Sequence, residues 1–301
     1  MIPTLNPRYQ QFVNNLDRIT SQMNQDQLNI SSGVRMQNVS DNPDQVSELL
    51  QARASLASSQ QISTNLSGVK TEVDTGEQTL QSAVQLFDQV QTLAAEGSTG
   101  TQTATTRATL AQQLQGIEQQ FVGLANTAIE GRHIFAGDTD QVQPYTYDAT
   151  QPNPVSAYQG STSTRVALTA SGTTFPVALT AQQIFDSPNP SNSVFGALNG
   201  LITALQNNDQ TATQNVNSGL ATVAQYLNDQ LAFYGTTQDN VSAATDYAST
   251  QQTELQSQLS SLQDTDMPAT ILDMTQAQTQ QQAALDSEAK LPRSTLFDFL
   301  A

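Results

Sequence analysis

The chain has 301 residues, room for about two or three modest domains, and its 27 acidic residues against ten basic ones give a net charge of -17. This acid excess, without any basic run, argues against binding to nucleic acid or anionic lipid, because phosphate binding needs clustered Lys and Arg. Cysteine is absent, which excludes a disulfide framework, a thiolate metal site and a cysteine nucleophile.

The exposed faces of the fold must carry mainly amide and hydroxyl side chains, because charged residues make up 12% of the chain while Gln occurs 43 times. Such a surface suits dense packing against copies of itself. The first residues, MIPTLNPRYQQF, lack a basic stretch followed by an apolar region, and no window approaches the roughly 18 consecutive apolar residues of a membrane span. We therefore expect no cleaved signal peptide and no membrane insertion, so that export would need another route.

A first helix is predicted from Asn6-Pro7, which places an N-cap residue before a proline at the first helical position. Apolar residues then recur at alternating spacings of four and three, the pattern of a coiled-coil seam. Ser31-Ser32-Gly33 interrupts this helix. The predicted seam consists of Leu5, Tyr9, Phe12, Leu16, Ile19, Met23 and Ile30.

A second and very long helix is predicted from Ser40-Asp41-Asn42-Pro43, which repeats the combination of cap and proline, to about Gly97. Its roughly 50 residues would span about 75 to 80 Å at 1.5 Å per residue. A turn over 97–101 should lead into a third, antiparallel helix that ends near Gly131. Heptad spacing supports the long helix at Leu66, Val73, Leu80, Phe87 and Ala94.

The helical spacing of apolar residues stops between Arg132 and about Asn192, where six prolines separate short runs of β-forming residues. These signals predict strands and turns in a β-rich insert, which we expect to behave as a separable unit. The runs are HIFAG, PYTYD, VSAYQG, RVALTA and TFPVAL.

Helical spacing resumes at Val194 and continues, over several stretches, to Leu262, before Met267-Pro268 breaks it. The final predicted helix, 269–289, is rich in Gln and Ala and has only a sparse apolar stripe. The chain then closes on an apolar segment that implies a partner. The stripe and the closing segment contain Ile271, Met274, Leu285, Leu291, Leu296, Phe297, Phe299 and Leu300.

Together these elements predict a mainly α fold, a long antiparallel helical bundle or coiled-coil rod with paired N- and C-terminal helices and a β-rich insert domain. Residues 1–42 and 265–301 would form the terminal coiled-coil domain. Residues 43–131 and 193–264 would form the helical rod domain, and residues 132–192 the insert domain. Because the terminal pair has one apolar seam per helix, we expect its Gln-rich backs to be buried against neighbouring subunits.

Three segments carry a resemblance to a known family. The block from Ile30 to Arg35, followed by Ser40-Asp41-Asn42-Pro43, resembles the signature shared by flagellins and their junction relatives. LANT at 124–127 with GRHIFAG at 131–137, and LFDFL at 296–300, are similar to the hook-associated protein 3 family, although His133 stands where Tyr is usual. The motif residues are Ser32, Gly33, Arg35, Ser40, Asp41, Pro43, Asn126, Gly131 and Arg132.

The resemblance implies a structural, non-enzymatic protein without a cofactor, secreted to the extracellular flagellum at the hook–filament junction. It implies export through the flagellar type III channel and capture of the C-terminal tail by a chaperone. It also implies assembly as a ring of subunits between hook-associated protein 1 and flagellin. Filament flagellins usually end in a leucine pair and arginine, and a filament role is the first alternative.

Other functions have weaker support in the residues. A secreted adhesin or carbohydrate-binding protein would use the β-rich insert, and a hydrolase is disfavoured because His133 is the only histidine and has no convergent catalytic partners. Asp138-Thr139-Asp140 lacks the further oxygen ligands and closing acid of a calcium loop. Gly131 and Gly137 lack the lysine and the spacing of a phosphate loop, which leaves them as turn glycines.

Overall fold

The computed structural model describes residues 7–36 and 43–290. Contacts divide the chain into two compact units, the first comprising residues 1–57 and 253–301 and the second comprising residues 58–252. The described residues form seven α-helices, one short 3-10 helix at Pro190–Asn192 and two two-stranded sheets. The helices are α1 Pro7–Ser32, α2 Pro43–Gly97, α3 Ala104–Ala125, α4 Ala181–Phe185, α5 Val194–Gln206, α6 Gln210–Gln263 and α7 Met267–Ala289.

The helices predicted from Pro7 and from Pro43 are both present, and the predicted end of the second at Gly97 is confirmed. The third helix ends at Ala125, earlier than the predicted Gly131, because Asn126 caps it and the chain turns at once into a hairpin. The predicted helical stretches beyond residue 210 form one continuous helix of 54 residues, α6. The final helix begins at Met267, where the Asp266 side chain accepts a hydrogen bond from the Ala269 amide.

The segment between α3 and α5 contains fewer strands than its sequence indicates. β1 Ala128–Ile129 pairs antiparallel with β2 Arg132–His133, and β3 Val166–Leu168 pairs antiparallel with β4 Thr174–Pro176. The runs PYTYD and VSAYQG form one isolated bridge and no named strand, although backbone hydrogen bonds such as that from the Ser156 amide to the Thr146 carbonyl also join them. Prolines at 144, 152 and 154 lie in and beside these runs, and each lacks the amide hydrogen that a longer ladder would require.

The second unit is built around one hydrophobic cluster. The heptad positions predicted for α2 are buried, and Leu66, Val73, Leu80, Phe87 and Ala94 are each at most 1% exposed. The same cluster takes in residues of the segment between α3 and α5, among them Phe135, Tyr145 and Phe185.

Edge-to-face aromatic contacts run through this cluster. Successive ring centroids of Phe87, Phe121, Phe185, Phe135 and Tyr234 lie 6.4, 6.2, 6.4 and 6.3 Å apart. These rings come from α2, α3, α4, the chain after β2, and α6. The 132–192 segment is thereby packed into the core that the long helices share.

The first unit contains the helix pair α1 and α7, which pack against each other. It also contains a small apolar cluster of Met36, Leu49 and Leu262, with Val46 and Leu259 packed against it.

Candidate assembly surfaces

The first motif segment ends α1. Gly33 adopts a φ of 71°, a left-handed conformation that favours glycine, and its amide donates to the Asn29 carbonyl at 2.9 Å. The Ser32 hydroxyl donates to the Leu28 carbonyl at 2.7 Å and accepts from the Val34 amide at 3.2 Å. Ser32 and Gly33 therefore stop the helix and redirect the chain.

The redirected segment pairs with the chain that leaves α6. The Arg35 amide donates to the Gln263 carbonyl at 2.7 Å, and the Thr265 amide donates to the Gly33 carbonyl at 2.9 Å. The Arg35 guanidinium donates to the Leu262 carbonyl at 3.0 Å and to the Gln45 side-chain oxygen at 3.3 Å. We call residues 32–36 and 262–266 the crossover link. It joins two segments that are far apart in sequence and fixes them by backbone hydrogen bonds.

The second motif segment follows α3. The Asn126 side chain donates to the Tyr145 carbonyl at 2.8 Å and accepts from the Tyr145 amide at 2.9 Å. Glu130 and Gly131 both have positive φ, 50° and 80°, which is the geometry of a tight hairpin turn between β1 and β2.

Arg132 and His133 follow this turn. A guanidinium nitrogen of Arg132 lies 3.8 Å from a carboxylate oxygen of Asp140. A ring nitrogen of His133 lies 2.7 Å from the Asn126 carbonyl oxygen. Asn126, Gly131, Arg132 and His133 therefore build the base of the 132–192 segment. Ser40 and Asp41 lie outside the described residues, and Pro43 is the first residue of α2.

The predicted terminal seam is only partly enclosed. Ile19 is 7% exposed, while Phe12, Leu16, Met23, Ile30 and Met274 are half-buried. The seam position between Met23 and Ile30 is occupied by Asp26, which is 4% exposed, so a polar group interrupts the apolar stripe. Leu5, Leu291, Leu296, Phe297, Phe299 and Leu300 lie outside the described residues.

Several large apolar side chains of this pair remain uncovered within the described residues. On α1, Tyr9 is 47% exposed and Leu28 is 52% exposed. On α7, Ile271, Leu272 and Leu285 are 48%, 66% and 49% exposed. We call these five exposed residues the outer terminal face, and three of them, Tyr9, Ile271 and Leu285, belong to the predicted stripes. Leu28 and Leu272 do not belong to the 4-3 stripes, and for that reason the sequence patterns did not single them out.

A second uncovered surface lies between α2 and α3, in the second unit. Two adjoining cavities of about 490 and 410 Å³ share Gln89 and Gln120 and form one continuous groove. Its wall on α2 runs from Ser82 to Leu93, and its wall on α3 runs from Gln113 to Leu124. We call it the α2/α3 groove. Its apolar floor consists of Leu86, Leu93, Ile117 and Leu124.

One acidic side chain is buried without a partner. Glu118 on α3 is 0% exposed, and neither carboxylate oxygen has a hydrogen-bond partner. Burial raises the pKa of Glu118 from 4.5 to about 7. The same carboxylate raises the pKa of Tyr147, after the larger effect of that phenol's own burial.

The described residues offer little for other classes of site. They contain no group of three or more His, Cys, Asp or Glu placed to hold a metal ion. Among the helices over 7–36 and 43–290, none is long and apolar enough to cross a membrane.

Family models match both ends of the chain. The model described as the bacterial flagellin N-terminal helical region matches residues 4–140, and the model of the bacterial flagellin C-terminal helical region matches residues 218–300. Together these matches cover well over half of the chain. No curated protein sequence matches it.

Solved structures share the fold. One described as a flagellar hook-associated protein of Vibrio parahaemolyticus is 18% identical, with a TM-score of 0.64 over 74% of this chain and 100% of that one. Bacillus cereus FlgL is 22% identical, with a TM-score of 0.52 over 65% of this chain and 98% of that one. The flagellar junction protein FlgL of Legionella pneumophila is 14% identical, with a TM-score of 0.50 over 67% of this chain and 99% of that one.

Proposed function

The chain belongs to the bacterial flagellin family, and from this premise we propose that it is a structural subunit of the flagellum that joins the hook to the filament. The observation that carries the proposal is the outer terminal face, on the helix pair α1 and α7. Large aliphatic side chains contribute roughly 1.5 to 3 kcal/mol each when they become fully buried. Side chains left about half-exposed on a narrow helix pair are therefore suited to burial against neighbouring subunits.

The junction role, as opposed to the filament role, is favoured by two observations. The structures of similar fold include proteins described as hook-associated and junction proteins. The segment LFDFL at 296–300 resembles the hook-associated protein 3 family.

The proposed partners follow from this role. A ring of subunits would contact hook-associated protein 1 on one side and flagellin on the other, and would reach the cell exterior through the type III channel. Before export, a chaperone would cover the apolar residues Leu291, Leu296, Phe297, Phe299 and Leu300. We propose residues 1–42 with 265–301 as the terminal coiled-coil domain, 43–131 with 193–264 as the rod, and 132–192 as the insert.

Deletion of the gene tests the proposal. Loss of a junction subunit should leave hooks in place and release flagellin into the medium, and electron microscopy of the cells with immunoblotting of the medium would show both. Capped hooks without released flagellin would instead assign the chain to the filament. Normal filaments would contradict both roles and would favour the alternative in which the insert has an adhesive function.

A further inference from the structure

The α2/α3 groove has no charged residue among those that line it, although the chain as a whole carries a net charge of -17. Its rim consists of carboxamides, hydroxyls and glycines, and its floor is aliphatic. The rim side chains Gln85, Gln89, Gln113 and Gln120 are all exposed. Two copies of an acidic chain repel each other least where both surfaces lack carboxylates, so this groove is well suited to contact between copies.

Two glycines of α3 widen the groove. Gly116 and Gly123 are exposed, and a Cβ added at either position would meet no atom within 4 Å. A glycine inside a helix costs about 1 kcal/mol relative to alanine, and packing within the chain does not require it at these two positions. Gly76 differs, because a Cβ there would overlap the Tyr234 ring. The space beside Gly116 and Gly123 is therefore available to something outside the chain.

The β3–β4 hairpin presents a surface that matches the groove. On β3, Ala167 points into the core at 5% exposed, whereas Val166 and Leu168 on the opposite face are 61% and 53% exposed. The hairpin sequence 166–177 contains no charged residue. It therefore offers an uncharged aliphatic pair to an uncharged aliphatic floor.

The hairpin is held away from the groove of its own chain. Arg165, which precedes β3, pairs with Glu72 on α2, and the hairpin turn packs beside Asn240 and Tyr247 on α6. The groove begins at Ser82, about 15 Å further along α2 at 1.5 Å per residue. With Ala167 anchored in the core, the hairpin cannot swing across that distance without unfolding.

We propose that Val166 and Leu168 of one copy dock into the α2/α3 groove of a second copy. The inference builds on the proposed self-assembly and specifies one of its contacts. Hairpin and groove are different surfaces, so the contact is heterologous and leaves a free hairpin on one copy and a free groove on the other. A contact of this kind builds rings or helical arrays and not closed pairs.

Cross-linking between two different chains tests the contact directly, because the natural chain has no cysteine. Full-length Leu168→Cys is mixed with full-length Gln120→Cys, and a short bismaleimide is added at a concentration where the wild-type chain sediments as an oligomer. The control mixture pairs Leu168→Cys with Thr222→Cys, which places a thiol on an exposed position of α6. We expect the heterodimer in the first mixture and not in the second. Equal yields in the two mixtures, or no heterodimer in either, would overturn the contact.

Filling the groove provides a second test, in which association should weaken although the monomer is not destabilised. Gly116→Leu and Gly123→Leu place side chains in open space, so the monomer should melt at the same or a higher temperature. Both substitutions should nevertheless weaken association by about tenfold or more, measured by sedimentation velocity. Gly68→Leu, at an exposed glycine of α2 with the same open space, is the matched control and should leave association unchanged.

The outcomes separate this inference from the proposed function. If the wild type assembles and the Gly116 and Gly123 variants assemble equally well, this contact is wrong while the structural role stands. If the wild-type chain remains monomeric at every concentration and its deletion leaves filaments normal, the proposed function fails and the contact fails with it.

Discussion

Tyr234 on α6 packs its ring directly over Gly76 on α2, in space that any side chain at position 76 would occupy. The ring is 1% exposed, and its hydroxyl oxygen accepts a hydrogen bond from the Leu179 amide at 3.2 Å. Its centroid lies 6.3 Å from that of Phe135. One glycine thus lets a single tyrosine join α2, α6 and the segment before α4.

Substitution of Gly76 should destabilise the second unit. Gly76→Ala would force the Tyr234 ring out of its position, and overpacking of this kind costs typically 1 to 3 kcal/mol. Gly68→Ala is the matched control on the same helix, because a Cβ there meets no atom within 4 Å and alanine favours the helix by up to about 1 kcal/mol. Urea unfolding followed by circular dichroism should therefore give shifts of opposite sign. A Gly76→Ala variant as stable as Gly68→Ala would contradict the packing described.

Stability should fall as the pH rises from about 5 to about 7, through Glu118. Its pKa is raised from 4.5 to about 7 in the folded chain, so the folded state binds more protons than the unfolded state between these values. The destabilisation is absent below about pH 4.5 and complete above about pH 7, with a size on the order of 3 kcal/mol.

Glu118→Gln tests this effect, because the amide has the same shape and does not ionise. The variant should gain stability over the wild type at pH 8 and differ little from it at pH 5, as measured by urea unfolding at each pH. Glu96→Gln, which makes the same substitution at an exposed position of α2, is the control variant. Parallel pH profiles for Glu118→Gln and the wild type would disprove the assignment.

The 132–192 segment should be required for the fold of the second unit. Phe185 is fully buried and touches Phe121, Phe135 and Phe195 with ring centroids 6.1 to 6.4 Å apart. Phe185→Ala should cost about 3 to 5 kcal/mol, whereas Phe175→Ala, at a partly buried ring of the same segment, should cost less. Removal of 138–192 should then lower the helical circular dichroism of the chain by more than the loss of the five residues of α4 accounts for. Retention of that signal would restore the separable insert expected from the sequence.

Assembly and folding should respond differently to changes on the outer terminal face. Leu272→Ser and Leu285→Ser alter side chains that are 66% and 49% exposed, so the melting temperature of the monomer should hardly move. Sedimentation should nevertheless show weaker association, and complementation of a deletion strain should show reduced swimming. Ala277→Ser changes a buried position of the same helix, which is only 5% exposed, and is the control in which folding itself can be affected. Normal swimming with both leucine variants would remove α7 from the assembly surface.

The sequence predicted the long helices well because their signals are local. In the sequence, a cap residue followed by proline predicts a helix from Pro43, the first residue of α2. Heptad spacing from Leu66 to Ala94 marks the buried face of that helix without knowledge of any other. The motif residues Gly33 and Gly131 were predicted as turn positions on similar grounds, and both have positive φ.

Features that depend on which faces meet could not be predicted. The strand and turn signals of residues 132–192 do not show that the rings of Phe135 and Phe185 enter the core of the long helices. Gly116 and Gly123 are seven residues apart, but only the position of α2 beside α3 turns that spacing into a groove. Glu118 looks like an ordinary surface acid in the sequence, but it is 0% exposed in the fold.

The crossover link is costly in chain entropy, because it joins two segments that are distant in the sequence. Arg35 and Leu262 are joined across 227 residues, and closing so long a loop costs about 3 kcal/mol more entropy than closing a loop of ten residues. Residues 58–252, the second unit, all lie within that loop, so their folding would shorten the length of flexible chain that remains to be closed. The contact between α1 and α7, at opposite ends of the described residues, has a similarly long sequence separation, and contacts of this kind form slowly because the loop entropy is lost before they are made.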